Sequence, residues 1–259
     1  MSESSRLQGK AVFVSGAGRG FGAAIAVAMA REGADLAIHY NTSGLGAEDV
    51  AKSIRSLGCR AITLQGDITR WSEVKKLADQ AFGHFGRLDV LVNNVGDMAS
   101  EQKSWREVTE EAIDHVLAVD IKGTMLMTHE FGSRMLDQKG GGVIVNIGSR
   151  VVVAGSPRAP QYAAGKYGIL GLTKSYARAF APSVRVNAYG PGFIETERLL
   201  SREEWKSGRR EEILASTPLK HILQPDEAVG PVIFLATDDS RHITGGFLVC
   251  DGGLSMVGA

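Results

Sequence analysis

The sequence predicts an α/β fold, a doubly wound parallel sheet with helices on both faces, on three observations. Short apolar runs alternate with longer stretches of helical period. The runs are apolar at successive positions, as strands covered on both faces must be. A glycine-rich turn also directly follows the first run. The 259 residues, 44% hydrophobic and 22% charged, suit one large domain over 1–259, and no Gly/Ser linker, repeat or low-complexity stretch divides them.

In chain order, apolar runs place strands at 11–14, 36–39, 61–64, 90–92, 143–147 and 184–188, with a seventh at 246–251 closing the sheet. Helical period predicts helices at 21–32, 47–57, 71–85, 109–134 and 160–180. A last helix is predicted over 226–236, with Pro225 before it and Asp226 as its N-cap. Gly140-Gly141-Gly142 reads as a turn, and the polar, charge-rich stretch 193–217 reads as a lid over a substrate.

Lys plus Arg and Asp plus Glu both number 29, so no charge excess points to nucleic acid or to a membrane surface. A small molecule is the expected partner. Cys59 and Cys250 fit neither a disulfide framework nor a metal-ligand spacing, and are read as free thiols in a reducing compartment. The polar N-terminus has no signal-type apolar core, and no apolar run reaches the roughly 18 residues of a membrane span; a cytoplasmic protein is expected.

Directly after the first strand the chain reads Ser15-Gly16-Ala17-Gly18-Arg19-Gly20-Phe21-Gly22. Glycines there let the backbone turn tightly against a pyrophosphate, while the positive end of the following helix stabilises the anion. The second strand ends in His39-Tyr40-Asn41-Thr42-Ser43 and offers no acid to hold ribose hydroxyls. Arg19 is instead available to a 2′-phosphate, which favours NADP(H) over NAD(H).

Tyr162 and Lys166 stand four apart in a predicted helix and so share one face. Ser149 ends the fifth strand, at the sheet edge where open α/β folds bind ligands. Carbonyl reduction needs a hydride, a donor that polarises the oxygen and an acid for the forming alkoxide. Ser149, Tyr162 and Lys166 can supply the last two, since an ammonium beside a phenol favours release of its proton.

With Asp67 after strand three, Asn93-Asn94-Val95-Gly96 after strand four and Pro191-Gly192 after strand six, the chain resembles the short-chain dehydrogenase/reductase family along nearly its whole length. The stretches 190–196 and 243–253 resemble the β-ketoacyl-acyl-carrier-protein reductases among its members. The resemblance implies a seven-stranded Rossmann-type sheet, a homotetramer, and cofactor contacts from Gly16, Arg19, Gly20, Phe21, Gly22, Tyr40, Asn41, Thr42, Asp67, Ile68, Asn93, Asn94, Val95 and Gly96. It further implies that Lys166 holds the nicotinamide ribose beside Tyr162, and that Pro191, Gly192, Ile194 and Thr196 lie at the carboxamide.

Family members commonly carry Asn in the fourth helix, in a relay from the catalytic Lys; Val119-Asp120-Ile121 places Asp120 there. Its charge is expected to offset part of that of Lys166 and so tune the site. Val95 replaces a usual Ala and adds bulk.

The function expected is NADP-linked interconversion of a ketone and a secondary alcohol, with a 3-oxoacyl thioester as a lead. Arg198, Arg202, Lys206, Arg209 and Arg210 near the lid would suit an acidic carrier, although several Glu stand among them. The alternatives are a sugar or other alcohol dehydrogenase using NAD(P), and a nucleotide-sensing binding protein that has lost catalysis.

Overall fold

The computed structural model describes residues 5–96 and 104–256; positions 1–4 of the polar N-terminus lie outside them. Seven parallel strands form one sheet: β1 (Ala11–Val14), β2 (Asp35–Tyr40), β3 (Ala61–Gln65), β4 (Val90–Asn93), β5 (Gly142–Ile147), β6 (Val184–Pro191) and β7 (Phe247–Cys250). Their order is β3-β2-β1-β4-β5-β6-β7. The chain therefore winds outward from β1 to one edge, returns, and winds to the other from β4. The crevice above the carboxyl ends of β1 and β4 is where such sheets admit a ligand.

Alternation along the strands sorts the core into two layers. Val12, Val14, Leu36, Ile38, Val90, Val92 and Val145 face one side and meet Ile25 and Met29 of α1 (Gly20–Arg31) and Ile54 of α2 (Gly44–Ser56). Phe13, Ala37, Leu91 and Ile144 face the other and meet Leu77 of α3 (Trp71–Phe85). A one-residue slip in register would exchange the two sets, so the pattern fixes the pairing.

Between β4 and β5 the chain forms α4 (Glu110–Val116), a π-helical turn (Leu117–Gly123) and α5 (Thr124–Asp137). Thr109 caps α4, its hydroxyl oxygen accepting from the Ala112 N–H at 3.2 Å. The helix expected at 109–134 is thus present but interrupted by the wider turn, which contains Asp120. Periodicity does not register one inserted residue. Phe131 of α5 is fully buried, edge-on to Phe13 at 4.7 Å between ring centres, and its burial contributes roughly 1.5–3 kcal/mol.

Beyond β5 come the short α6 (Val151–Ala154) and the long α7 (Pro160–Phe180), opened by a proline whose missing N–H is harmless in a first turn. The stretch 193–217 folds into α8 (Glu197–Leu200), a kinked segment (Trp205–Arg209) whose backbone leaves the helix at Ser207 and Gly208, and α9 (Arg210–Ser216). Leu199, Trp205, Ile213 and Ile222 pack there as a small core of their own. Four apolar residues scattered among charges show no period over helices this short, so the sequence did not reveal them.

α10 (Gly230–Ala236) starts four residues later than expected, and Asp226 is not its cap. Residues 225–229 are turns, in which the Glu227 carboxylate accepts the Gln224 N–H at 2.8 Å, and Pro231 stands in the first turn of the helix instead. Cys59 and Cys250 are free and half-buried. Among the described residues no helix is long and apolar enough to cross a membrane.

Candidate active site

A cavity of about 1170 Å³ opens above the carboxyl ends of the central strands. It is large enough for a dinucleotide and a second small molecule together. Gly16, Arg19, Gly20, Phe21, Gly22, Asn94, Val95 and Gly96 line it from the N-terminal half of the chain. Ser149, Tyr162, Lys166, Pro191, Gly192, Ile194 and Thr196 line it from the other. The structure brings these residues into one lining.

The glycine loop is built for close approach. Gly16 has φ +64°, where any side chain is strained, and a Cβ on Gly22 would run into the Gly16 carbonyl. No side chain caps α1: its N-cap, Arg19, is extended and makes no capping bond. Gly20, Phe21 and Gly22 of the first turn line the cavity and receive no side-chain cap, an arrangement that fits the pyrophosphate of a dinucleotide.

Two residues that sequence reasoning passed over hold the loop. His39 of β2 is fully buried; its Nδ1 accepts the Gly16 N–H at 3.1 Å, and its Nε2–H donates to the Gly66 carbonyl at 2.9 Å. Burial pushes its pKa down to about 4, outweighing the Gly66 bond and the charge of Asp67. Ser15 Oγ accepts the N–H groups of Asn94 (2.9 Å) and Val95 (3.1 Å), joining β1 to β4 at the switch point. A lone histidine ending an otherwise apolar run was the available signal for the first.

His39→Gln tests that role through acid stability. Neutral imidazole is what the fold accepts, while the unfolded chain takes up a proton near pH 6.5. The stability contributed is complete above that value and is lost as pH falls toward about 4, on the order of 3 kcal/mol in all. Urea titrations of wild type between pH 7 and 4 should show this loss; His39→Gln should show a flatter dependence.

Asn93, expected at the cofactor, ends β4 beneath the cavity. Its side chain is buried outside the cavity lining, and its Nδ2 donates to Thr128 Oγ1 (3.0 Å) and Asn146 Oδ1 (2.8 Å); Asn146 in turn donates to Thr173 Oγ1 (2.9 Å). The network ties β4 and β5 to α5 and α7. Asn146, within a strand of apolar neighbours, was not singled out from sequence.

Tyr40, Asn41, Thr42, Asp67 and Ile68 also stand outside the cavity lining, at the ends of β2 and β3. The turn after β2 still touches the loop, since a Cβ on Gly18 would lie 3.1 Å from that of Ser43. Burial would raise the Asp67 carboxyl, but hydrogen bonds from Thr69 and the charges of Arg70 and Lys122 bring it below the usual range.

On the opposite wall, Ser149 Oγ accepts the Val151 N–H at 3.3 Å and keeps its own hydrogen to donate. Lys166 Nζ lies 5.7 Å from the centre of the Tyr162 ring and 3.3 Å from Asp120 Oδ1. The ion pair is almost wholly buried, with side-chain exposures of 5% for Lys166 and 0% for Asp120. Gly96 packs on it: a Cβ there would fall 2.5 Å from Lys166 Nζ.

The sequence model described as Enoyl-(Acyl carrier protein) reductase, a short-chain dehydrogenase/reductase model, matches residues 16–255. The chain belongs to the short-chain dehydrogenase/reductase family. As a member of that family it is a nicotinamide-dinucleotide-dependent oxidoreductase.

An uncharacterized oxidoreductase of Methylorubrum extorquens is 37% identical over 255 residues, covering 96% of this chain and 99% of that one. A 3-oxoacyl-acyl-carrier-protein reductase of Staphylococcus epidermidis is 33% identical, covering 95% and 99%. Among solved structures, a short-chain dehydrogenase from Burkholderia cenocepacia in complex with NADP superposes with a TM-score of 0.86 at 32% identity, covering 96% and 99%. The dinucleotide that the family uses fits the uncapped helix and glycine cradle seen here.

Proposed function

We propose that this short-chain dehydrogenase/reductase interconverts a ketone and a secondary alcohol with NADP(H). The observation that carries this is one cavity lined both by the glycine loop and by Ser149, Tyr162 and Lys166. When bound, the cofactor supplies a hydride to the substrate carbon or takes one from it. The Ser149 hydroxyl donates to the substrate oxygen and fixes its position. Tyr162 gives the proton to that oxygen in reduction and takes it in oxidation. The ammonium of Lys166 faces the Tyr162 ring and favours proton release, and Asp120 holds that ammonium in place. The segment 193–217 covers the substrate.

Support for NADP comes from the end of β2, which reads Tyr40-Asn41-Thr42-Ser43 without a carboxylate, and from the exposed Arg19 on the adjoining loop. A 2′-phosphate would meet a guanidinium and hydroxyls there rather than an acid. Arg19 to a 2′-phosphate, Asp67 and Ile68 near adenine, and Ile194 and Thr196 at the carboxamide complete the set of contacts we assign. A 3-oxoacyl thioester remains a lead substrate through the Staphylococcus relative.

The test is loss of NADPH or NADH absorbance at equal concentration with simple ketones and 3-oxoacyl thioesters, and cofactor reduction with sugars and alcohols. Faster NADPH use, with a preference that Arg19→Ala reduces about tenfold or more, is expected. A preference for NADH would overturn the cofactor assignment, and cofactor binding without turnover of any substrate would overturn the reaction. Exposed Ile113, Leu117, Met125 and Leu136 on α4, its π turn and α5, with Tyr167 on α7, support a homotetramer of four 27.6 kDa chains, measurable by light scattering.

A further inference from the structure

The substrate side of the cavity is markedly cationic. Arg150, Arg158, Arg198, Arg202 and Arg209 line it, against two carboxylates, Glu197 and Glu204. The whole chain is neutral in formal charge, so this concentration is local. The outer arginines have partners: Arg158 Nη1 donates to both oxygens of Glu204 (2.9 and 3.1 Å), and Arg209 Nη1 to Glu212 (2.9 Å). Lys206 and Arg210, which sequence alone grouped with them, pair with Glu203 and Glu195 and do not line the cavity.

Arg202 differs. Its side chain is only 11% exposed, and its Nη1 lies 3.6 Å from Glu204, yet its Nε and Nη2 are buried with no hydrogen-bond partner among the described residues. Those two nitrogens form one edge of the guanidinium, the pair of parallel donors that takes a carboxylate or phosphate in bidentate fashion. A buried cation with that edge unmet is costly unless an anion completes it. Arg150 stands in the same lining, stacked on Phe193 at 5.0 Å, next in sequence to Ser149 and within electrostatic reach of Tyr162. Burial lowers the proton affinity of both guanidinium groups; Asp251 offsets part of this for Arg150 and Glu204 part for Arg202, while Arg209 adds to it for Arg150, and Arg158 and Arg198 for Arg202. An incoming anion relieves both effects.

We propose that the compound oxidised or reduced in this cavity carries an anionic group, a carboxylate or a phosphate, held by the Arg202 guanidinium once it turns its unmet, now enclosed Nε–Nη2 edge toward the cavity, with Arg150 of the same lining adding positive charge. This rests on the ketone–alcohol reading above and narrows its substrate class. The group is then held in the same cavity as the Ser149 hydroxyl and Tyr162, so charge at one end of the substrate orients the carbonyl at the other.

The experiment compares matched charged and neutral ketones as substrates of the full-length enzyme with NADPH. The pairs are 2-oxobutanoate with its methyl ester, levulinate with its methyl ester, and dihydroxyacetone phosphate with dihydroxyacetone. The corresponding hydroxy compounds are run in reverse with NADP⁺. The anionic member should show a kcat/KM about 10- to 100-fold above its neutral partner, and whether acids or the phosphate lead tells the two anions apart. Arg202→Gln should collapse that ratio mainly through KM. Arg150→Gln should lower it too, and inorganic sulfate should compete with the anionic substrate on wild type, so the test survives if one variant fails to fold.

Ratios at or below one in every pair that turns over would overturn the proposal and leave the ketone–alcohol reading standing. Absence of turnover with all six compounds in both directions would remove the reading and the proposal together. If Arg202→Gln weakens NADPH binding in a fluorescence titration while the ratio persists, the arginines serve the cofactor, and the proposal is wrong.

Discussion

Tyr162→Phe is expected to lower kcat by about 10²- to 10⁴-fold, the range a positioned acid or base contributes. Only one oxygen is removed. The ring that Lys166 faces at 5.7 Å remains, so packing on α7 changes little, and the loss should fall on kcat more than on KM. Steady-state kinetics with any ketone the enzyme accepts will measure it. A kcat within threefold of wild type would mean that the proton reaches the substrate oxygen by another route, with Tyr162 only a wall of the cavity.

The second large effect concerns the buried pair. Lys166→Met removes the ammonium 3.3 Å from a carboxylate with no solvent exposure, and such half-broken pairs typically cost about 3–5 kcal/mol. Urea denaturation should show that loss, together with a fall in turnover. Asp120→Asn keeps the shape but takes the counter-charge from a buried ammonium, so it too is expected to cost stability, less than Lys166→Met where the amide oxygen still accepts from Lys166. The double variant Lys166→Met/Asp120→Asn should recover part of the stability lost in Lys166→Met, because no buried carboxylate is then left without the ammonium. Full additivity of the two changes would show that the two groups do not interact.

Asp120→Asn should also change turnover, because the carboxylate that holds the Lys166 ammonium at 3.3 Å is gone. Steady-state kinetics measure it, and turnover equal to wild type would leave Asp120 a structural residue of the π turn.

The strands were legible in the sequence because each is a short apolar run, and all seven lie within three residues of the expected bounds. Long helices followed from their period. What escaped were the features in which a polar group is answered from far along the chain. His39 meets Gly16 and Gly66, Ser15 meets Asn94 and Val95, and Asn93 meets Asn146; none of these pairings leaves a local pattern. Arg150 escaped similarly, standing beside Ser149 with no spacing to mark it, and Arg202 was one charge among many until burial separated it from Lys206 and Arg210. Asp226 was misread because a turn whose backbone is bound by Glu227 resembles a helix start in its residue types.

The reversal of strand order between β1 and β4 has a consequence for how such a protein diversifies. Among the described residues, every cavity residue up to Gly96 belongs to the glycine loop or the turn after β4, and the next one along the chain is Ile147. The two walls are thus separate stretches of gene. A recombination point anywhere across the intervening helices would exchange the wall bearing Arg150 and Arg202 while leaving the glycine loop intact, so a new substrate can be acquired as a single inherited block with the redox partner conserved.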